Sequence, residues 1–480
     1  MNSEIIIIGA GFAGIALGIA LKRAGIESFT ILERSDAIGG VWRDNHYPGA
    51  ACDVPSTFYS YSFDSDYPWS GRYGKQAEIL DYLRQCATKH GITAHIRFNA
   101  EVAAADFDAQ AGEWRVRTTA GEEQRARFLI SAIGLFNRPI VPELRGRASF
   151  LGPQFHSAQW NDAVALDGKR VAVIGTGASA IQFVPAIAPR VAHLTVFQRS
   201  PPYVFPRLPG GAPPRGSLGA LLRRKLDRLG IYLTFEKLNT RRRAEFETHA
   251  TQGAFRTYLS AKVQDSAFRE RLMPRYPFGC KRTLFSNDWY DTLLRENVDL
   301  VDTGIDAIVP EGVRSADGAV HEADVIIYGT GFSPAEFLLP MRITGKDGRE
   351  IHDYWDDGAE AYLGMAVAGF PNFFMMYGPN TNVPGSIVFM LECQAGYIVQ
   401  AIRALARRRA RYMNLRKDIE RCFNAELRAR INAIGVLIAP ECRSYFMTAS
   451  RKITVQWPGF MSQYYWRTRK VRTADYEFAR

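Results

Sequence analysis

The sequence has few of the features that mark a metal-binding, membrane-spanning or disordered chain. Its six cysteines form no C-x-x-C pair and no metal-ligand spacing, so the sequence predicts neither a zinc site nor a redox dithiol. Unpaired thiols are typical of the reducing cytoplasm. The one apolar run that imitates a targeting segment, residues 5–21, is short for a membrane span and contains glycines. We therefore expect a folded cytoplasmic protein with no metal site and no transmembrane segment.

Acidic residues are also fewer than basic ones. The chain has 49 aspartates and glutamates against 60 lysines and arginines, a net charge of +11. Such an excess attracts nucleic acid, an anionic membrane or an anionic small molecule. With 47% hydrophobic residues over a length of 480, the chain can bury more than one core. We expect roughly two to four domains, an ordinary basic enzyme surface and no nucleic-acid partner.

A glycine-rich turn follows the first predicted strand. Gly9, Gly11 and Gly14 stand between four consecutive isoleucines and an apolar helix, in the order of a β-α-β unit. Glycines at this spacing let the backbone turn tightly and approach a pyrophosphate at the start of the helix. Glu33 ends the second strand, where a carboxylate can accept hydrogen bonds from a ribose. This unit predicts a site for an adenine dinucleotide without a 2′-phosphate, FAD or NAD.

A second turn of the same kind comes about 165 residues later. Gly175, Gly177 and Ala180 follow a short apolar strand and open a helix. The next strand ends in Arg199 instead of an acid, and a guanidinium suits the 2′-phosphate of NADPH. Together the two units predict an α/β fold with two Rossmann-like dinucleotide-binding domains, one for FAD and one for NADPH.

Prolines and glycines between the predicted elements indicate the domain boundaries. We expect the first part of the FAD-binding domain in residues 1–145, the NADPH-binding domain in 146–335 and the remainder of the FAD-binding domain in 336–480. A helical insertion is expected at about 217–273 in the second domain. The leucines on one face of its first helix are Leu218, Leu221, Leu222, Leu226 and Leu229. The insertion and the basic run 403–411 each have two interpretations, a solvated helix face or a surface that docks on a membrane.

Two longer patterns narrow the class of enzyme. Just before the second unit, Phe150, Gly152, His156 and Trp160 have the form F-x-G-x-x-x-H-x-x-x-W. The other pattern consists of Gly39, Gly40, Trp42, Tyr47, Pro48, Gly49 and Asp53. Both resemble the fingerprints of the Baeyer-Villiger monooxygenases, a family of flavoproteins. The chain departs from the first at Asn161, where the family usually has Pro or Asp.

The resemblance extends over nearly the whole chain. It includes Lys281 and Arg282 in a Gly-Cys-Lys-Arg segment, Asn380 in a Tyr-Gly-Pro-Asn segment, and a Trp-Pro-Gly-Phe segment at 457–460. Tyr445 stands where many relatives have a Trp, so any contact of that Trp with the nicotinamide cofactor is altered here.

The resemblance implies an FAD- and NADPH-dependent enzyme that converts a ketone to an ester or lactone with O2, through a C4a-peroxyflavin. Arg282 is then the permanent cation beside the flavin, and Asp53 is the carboxylate that holds it. Lys281 joins Arg199 at the 2′-phosphate. The segment 150–160 is expected to couple cofactor movement to domain rotation, with its histidine in a structural role. The cofactor-binding residues expected in all are Gly9, Gly11, Gly14, Glu33, Gly40, Trp42, Asp53, Gly175, Gly177, Ala180, Arg199, Lys281 and Asn380.

Three other functions are compatible with two dinucleotide sites, because a fold does not determine a function. A flavin N- or S-hydroxylating monooxygenase shares the activated flavin but does not need Arg282 and Asp53. A flavoprotein disulfide reductase needs paired cysteines near the flavin, and the sequence shows no such pair. The third is a flavin-binding sensor without turnover. The identity of the ketone, the selectivity and the oligomeric state are left open by the sequence.

Overall fold

The computed structural model describes residues 3–241 and 245–480, so residues 242–244 of the predicted insertion lie outside the described residues. The helices are α1 (Phe12–Arg23), α2 (Val41–Asp44), α3 (Gln76–Lys89), α4 (Ala180–Ile187), α5 (Leu218–Arg241), α6 (Glu245–Lys262), α7 (Ser266–Arg271), α8 (Trp289–Leu293), α9 (Ile351–Trp355), α10 (Ile387–Arg408), α11 (Lys417–Asn432), α12 (Gly435–Ile438) and α13 (Met461–Thr468). The strands are β1 (Ile5–Ile8), β2 (Phe29–Leu32), β3 (Ile96–Arg97), β4 (Val102–Asp108), β5 (Glu113–Thr118), β6 (Glu123–Ala126), β7 (Phe128–Ser131), β8 (Gln154–His156), β9 (Arg170–Ile174), β10 (His193–Phe197), β11 (Val204–Phe205), β12 (Leu284–Phe285), β13 (Val298–Val301), β14 (Ile305–Val309), β15 (Gly312–Ser315), β16 (Val320–Glu322), β17 (Val325–Tyr328), β18 (Arg342–Thr344), β19 (Phe373–Met375), β20 (Tyr412–Leu415) and β21 (Tyr476–Ala479).

The first sheet has five parallel strands in the order β19-β7-β1-β2-β3. Its central strand is the four-isoleucine run, and a parallel strand buried on both faces requires such a continuous apolar sequence. Ile5 and Ile7 lie in the core formed with α1 and α10, whereas Ile6 and Ile8 lie in the core formed with the smaller sheet β18-β4-β5-β6. The carboxyl ends of β1 and β2 therefore form an edge at which Gly9 follows one strand and Glu33 the other.

The second sheet repeats this arrangement with the strand order β13-β10-β9-β17-β8, all parallel. Val171 and Val173 of its central strand β9 pack against α4 and α8. Ala172 and Ile174 face the hairpin strands β14 and β15 on the other side. Each sheet thus has a central strand, a glycine turn and a helix, which confirms the predicted α/β fold with two Rossmann-like units.

Helices α5, α6 and α7 lie between β11 and β12, within the region predicted as a helical insertion. Helix α5 contacts the first unit through polar groups. Arg228 Nη1 donates to the carbonyl oxygens of Thr57 (2.8 Å) and Ser60 (3.0 Å), and Thr57 Oγ1 donates to Asp227 (2.7 Å). Of the five leucines predicted on one side of α5, Leu221 is half-buried and the other four are exposed, so most of this side points away from the core into solvent.

Helix α10 is the one helix among the described residues that is long and apolar enough to cross a membrane. More than half of its apolar window is buried, and α1 and α13 pack along it. Core helices pass the same test of length and composition, so α10 is weak evidence for a membrane span.

Candidate active site

A cavity of about 2220 Å³ lies at the carboxyl ends of the two main sheets. Both glycine turns line it, together with the loop of Trp42 and Asp53 and the loop of Lys281 and Arg282. Pockets for a single small ligand usually measure about 300 to 1,000 Å³. The cavity is therefore large enough for two dinucleotides and a substrate.

The first glycine turn is held in shape by a buried carboxylate. Gly9 has a φ of +106°, in the region that favours glycine. Glu33 is 4% exposed, and its carboxylate accepts hydrogen bonds from Ala10 N (2.7 Å) and Ser35 N (3.1 Å). Helix α1 begins after Gly11 with no side-chain cap, and its first residues line the cavity. An uncapped helix start of this kind binds a pyrophosphate, so the turn fits FAD.

The fingerprint segment around Gly40 packs directly on this turn. A Cβ atom added to Gly40 would lie 3.3 Å from Gly11 Cα, so the two backbones are in close contact. Helix α2 begins after Gly40, and Trp42 Nε1 donates to the hydroxyl of Tyr59 (3.0 Å). Gly40 and Trp42 both line the cavity beside the predicted FAD site.

The second turn has the same backbone but a different strand end. Gly175 has a φ of +110°, and its N–H donates to Phe197 O (3.0 Å), just as Gly9 N donates to Leu32 O (2.8 Å). The position that corresponds to Glu33 is therefore Gln198, and Arg199 is one residue further on. The sequence placed Arg199 at the position of Glu33. The structure places Gln198 there instead, one residue before Arg199. Gln198 is buried, and its amide Nε2 donates to Arg271 O (2.9 Å).

Two cations come together beside this second turn. Lys281 Nζ donates to Ser200 Oγ (2.8 Å) and lies 4.3 Å from the centre of the Tyr276 ring. Burial, and then the neighbouring charge of Arg199, lower the pKa of Lys281 to about 8. Neither cation forms an ion pair with a carboxylate of the described residues. A half-buried lysine and an exposed arginine without a carboxylate partner form an anion site, which fits the 2′-phosphate of NADPH.

Arg282 and Asp53 form a close ion pair within the cavity. Arg282 Nη2 lies 2.6 Å and 2.7 Å from the two carboxylate oxygens of Asp53. The carboxylate raises the pKa of Arg282 further above its usual value, so the guanidinium stays charged. The residues come from loops 229 positions apart, and the fold brings them together as the resemblance implies.

His156 and Trp160 do not lie on a helix. His156 ends β8 and pairs with Tyr328 in β17, and a short 3₁₀ turn leads to Trp160. Burial lowers the pKa of His156 to about 4, so its ring is neutral near pH 7. Its Nδ1 accepts from Ala158 N (3.0 Å), and its ring packs edge-on against Phe332 (5.7 Å between centres).

Phe332 belongs to one of two chain segments that cross between the main sheets, and these two segments pair with each other. Ile140 N donates to Gly331 O (2.9 Å), and Ser333 N donates to Arg138 O (3.1 Å). The fingerprint segment, residues 150–160, therefore lies against the two chain segments that connect the main sheets.

Sequence reasoning missed Gln182, a polar residue in the apolar helix α4. Its side-chain amide bonds to both the N–H (3.2 Å) and the carbonyl (2.9 Å) of Ala51 and to the hydroxyl of Tyr47 (3.3 Å). Trp160 adds to this contact, because its ring and that of Tyr47 both pack on Phe183. A lone glutamine among apolar residues was the only available signal.

The expectation that the cysteines are unpaired is wrong for two of them. Cys280 and Cys442, which are 162 residues apart, form a disulfide that joins the loop of Arg282 to the loop of Tyr445. Spacing alone gave no reason to pair them. Both cysteines are fully buried and neither lines the cavity, so the bridge is not positioned to exchange electrons with a cofactor.

Asn380 was expected to bind a cofactor, but its side chain lies outside the cavity. Its Nδ2 donates to Ile453 O (2.9 Å) and Gln456 O (3.0 Å), and the residue does not line the cavity. Asn382, two positions later, does line it. The role of Asn380 in cofactor binding stays a prediction without a contact to support it. Tyr445 lines the cavity at the position where many relatives have Trp.

Three comparisons relate the chain to known proteins. A model of the pyridine nucleotide-disulphide oxidoreductase family matches residues 6–205. A Baeyer-Villiger monooxygenase of Streptomyces coelicolor is 37% identical over 99% of this chain and 93% of its own length. Among solved structures, an oxidised steroid monooxygenase bound to NADP has a TM-score of 0.88 at 29% identity over 100% of both chains. OTEMO in complex with FAD and NADP has a TM-score of 0.89 at 27% identity over 99% of both chains.

These relatives match over almost the full length of the chain. The matched length includes both glycine turns, residues 9–14 and 175–180, which we call the first and second cradles. The family model that covers only the first 200 or so residues reflects the shared nucleotide-binding fold and not disulfide chemistry. The chain therefore belongs to the Baeyer-Villiger monooxygenases, flavoprotein oxygenases that contain FAD and depend on NADPH.

Proposed function

We propose that the protein inserts one oxygen atom of O2 beside the carbonyl of a ketone and releases an ester or a lactone. The observation that carries the proposal is the Arg282–Asp53 pair, which faces the cavity between the two cradles. Per turnover, ketone, O2, NADPH and a proton give ester, NADP+ and water. The bound flavin supplies the electron transfer and the activated oxygen.

The two cradles divide the cofactors between them in this proposal. Gly9, Gly11 and the uncapped start of α1 hold the pyrophosphate of FAD, and Glu33 orients the turn. Arg199 and Lys281 hold the 2′-phosphate of NADPH beside the second turn. We carry over the division of the chain into 1–145, 146–335 and 336–480 as part of the same proposal.

Arg282 supplies positive charge where oxygen becomes negative. A guanidinium that stays protonated stabilises negative charge on the attacking oxygen and on the former carbonyl oxygen, yet does not release a proton that would quench the attack. Asp53 positions the guanidinium through two short contacts. Both contacts come from Nη2, so this nitrogen is held between the two oxygens of Asp53.

The contact between the two units suits a motion that repositions the nicotinamide. His156 and Phe332 pack at the paired crossing segments, while Trp160 and Gln182 hold the second unit against the loop of Asp53. A shift of α4 would therefore reach the loop of Asp53 through the contact of Gln182 with Ala51. We propose that the segment 150–160 acts in this way, with neutral His156 in a structural role.

The test is ester formation by purified protein across a panel of ketones, with NADPH consumption measured in parallel. Arg282→Ala should retain FAD but form ester at least about a hundredfold more slowly, since one electrostatic donor in a closed site contributes about that much. Arg275→Ala, which removes another arginine from the cavity lining, is the matched control and should stay near the parent rate. Ester formation at the parent rate by Arg282→Ala would contradict the proposal. Oxygenation of amines or sulfides without any ester would instead favour the hydroxylating alternative.

A further inference from the structure

Helix α5 presents its apolar side to solvent, the reverse of an ordinary surface helix. Five leucines at successive turns are each more than half exposed. They are Leu218 (82%), Leu222 (59%), Leu226 (59%), Leu229 (52%) and Leu233 (56%). We call these residues the leucine face. It extends along a helix about 36 Å long, far beyond the isolated apolar residues that any protein surface carries.

The opposite side of α5 is fixed by specific contacts, so the helix cannot simply roll its leucines inward. Arg224 forms an ion pair with Asp66 (2.6 Å), and the guanidinium of Arg228 lies 5.4 Å from the centre of the Phe58 ring. Phe235 of α5 also stacks on Phe58, with 5.8 Å between the ring centres. Buried cations and stacked rings on the inner side therefore hold the leucine face outward.

Aromatic residues of α13 continue this exposed surface. Ser462 N donates to Glu236 (2.9 Å), which brings the start of α13 against the second half of α5. The rings of Tyr232 and Tyr465 both contact Phe389. Tyr465 is 42% exposed, and the next residue, Trp466, is 64% exposed.

Basic residues outnumber acidic ones around this surface. Arg223, Lys225 and Lys237 border the leucine face, are exposed, and make no ion pair with any carboxylate in the described part of the chain. The two acids of α5 keep their charge but face neutral donors, since Asp227 accepts from Thr57 and Glu236 accepts from Ser462, and they are outnumbered by the three unpaired cations. The surface is thus apolar in the middle and cationic at its border.

We propose that the leucine face, with Trp466 and the bordering cations, docks the protein on an anionic phospholipid membrane. Leucines that enter the acyl region, a Trp at the headgroup level and Lys and Arg beside anionic headgroups are the pattern of an interfacial helix. A second copy of the chain complements this surface less well, because pairing would bring two sets of unpaired cations together. Such docking is peripheral and requires no membrane-spanning helix.

Sedimentation of the FAD-loaded protein with phospholipid vesicles tests the proposal. The protein should sediment with vesicles of phosphatidylcholine and phosphatidylglycerol, and much less with phosphatidylcholine alone. The double variant Leu226→Glu, Leu229→Glu should bind the anionic vesicles at least about tenfold more weakly. Arg223→Gln with Lys225→Gln should weaken binding by about fivefold per charge removed.

The control is a double variant with the same chemistry at remote, half-exposed positions, Leu294→Glu with Val320→Glu, which should bind vesicles like the parent. Circular dichroism and bound FAD check that every variant is folded. No sedimentation of the parent with anionic vesicles would overturn the proposal, as would equal binding by the leucine variant. A dimer in solution that the leucine variant converts to a monomer, without vesicle binding, would assign the surface to a second copy and also overturn it.

Discussion

The two cradles have almost the same backbone and differ where their second strands end. Gly9 and Gly175 have nearly equal φ angles, and each N–H bonds to the last residue of the neighbouring strand. After that strand the first cradle has a buried glutamate, whereas the second has Gln198 followed by Arg199. The backbone thus suits any dinucleotide, and we propose that the residues after the strand select which one binds.

The largest effect is expected at the third small residue of the turn, which is Gly14 in the first cradle and Ala180 in the second. A Cβ on Gly14 would lie 1.9 Å from Gly9 O, whereas a Cβ on Gly177 would meet nothing closer than 3.8 Å. Gly14→Ala should therefore lower stability by about 3 kcal/mol or more and yield protein without FAD. Gly177→Ala, which adds a methyl group to the second cradle at the position that corresponds to Gly11, is the control and should leave the melting temperature and FAD content close to the parent's. Equal FAD content in the two variants would break the comparison.

The next effect concerns the buried carboxylate. Glu33→Gln should weaken FAD binding by about tenfold to a hundredfold, because charge-assisted hydrogen bonds contribute about 1.5–3 kcal/mol. The reciprocal change, Gln198→Glu, should leave FAD binding unchanged and raise the KM for NADPH, since a carboxylate would stand beside the 2′-phosphate. Titration of the apoprotein with FAD measures the FAD affinity, and steady-state kinetics measures the KM for NADPH. The comparison fails if Gln198→Glu lowers FAD affinity as much as Glu33→Gln does.

A smaller effect should appear at the cations of the second cradle. Arg199→Gln and Lys281→Gln should each raise the KM for NADPH by about tenfold and leave the KM for NADH nearly unchanged. NADH lacks the 2′-phosphate, so it serves as the internal control in the same preparation. Equal effects on the two cofactors would mean that these cations contact another part of the nucleotide.

The smallest effect is a dependence on pH. The pKa of Lys281 is lowered to about 8, so the side chain is cationic below that pH and becomes neutral as the pH rises through it. The ratio of kcat/KM for NADPH to that for NADH should therefore fall, by less than about tenfold, between about pH 7 and about pH 9. Lys281→Arg keeps its charge over this range and should give a flat ratio. A parent ratio that stays flat would show that the lysine is not at the phosphate.

The sequence predicted both cradles because their signals are local. A strand, three small residues at set spacing and a helix lie within about 30 consecutive residues, and the fold of each unit follows from them. The pairing of Arg282 with Asp53 was reached through resemblance to a family, since 229 residues separate the two. Neither spacing nor periodicity relates residues so far apart.

The features that were missed depend on contacts between distant segments. The register of β10 against β9 moves Gln198 to the position of the acid, and a shift of one residue is below what strand patterns can predict. The Cys280–Cys442 bridge, the hold of Gln182 on Ala51 and the position of Asn380 outside the cavity all depend on how separate elements pack. The sequence identified an apolar side of α5 but left its orientation open, because periodicity does not show whether that side faces the core or solvent.

The central claim is that this cavity forms an ester from a ketone at the Arg282–Asp53 pair. The most direct measurement is turnover of a ketone by the purified, FAD-loaded protein with NADPH under heavy-isotope O2, followed by mass spectrometry of the product. We predict an ester or lactone that carries one labelled oxygen atom, and its loss in Arg282→Ala although FAD is retained. NADPH oxidation that yields only hydrogen peroxide with every ketone, or a labelled ester formed equally well by Arg282→Ala, would contradict the account.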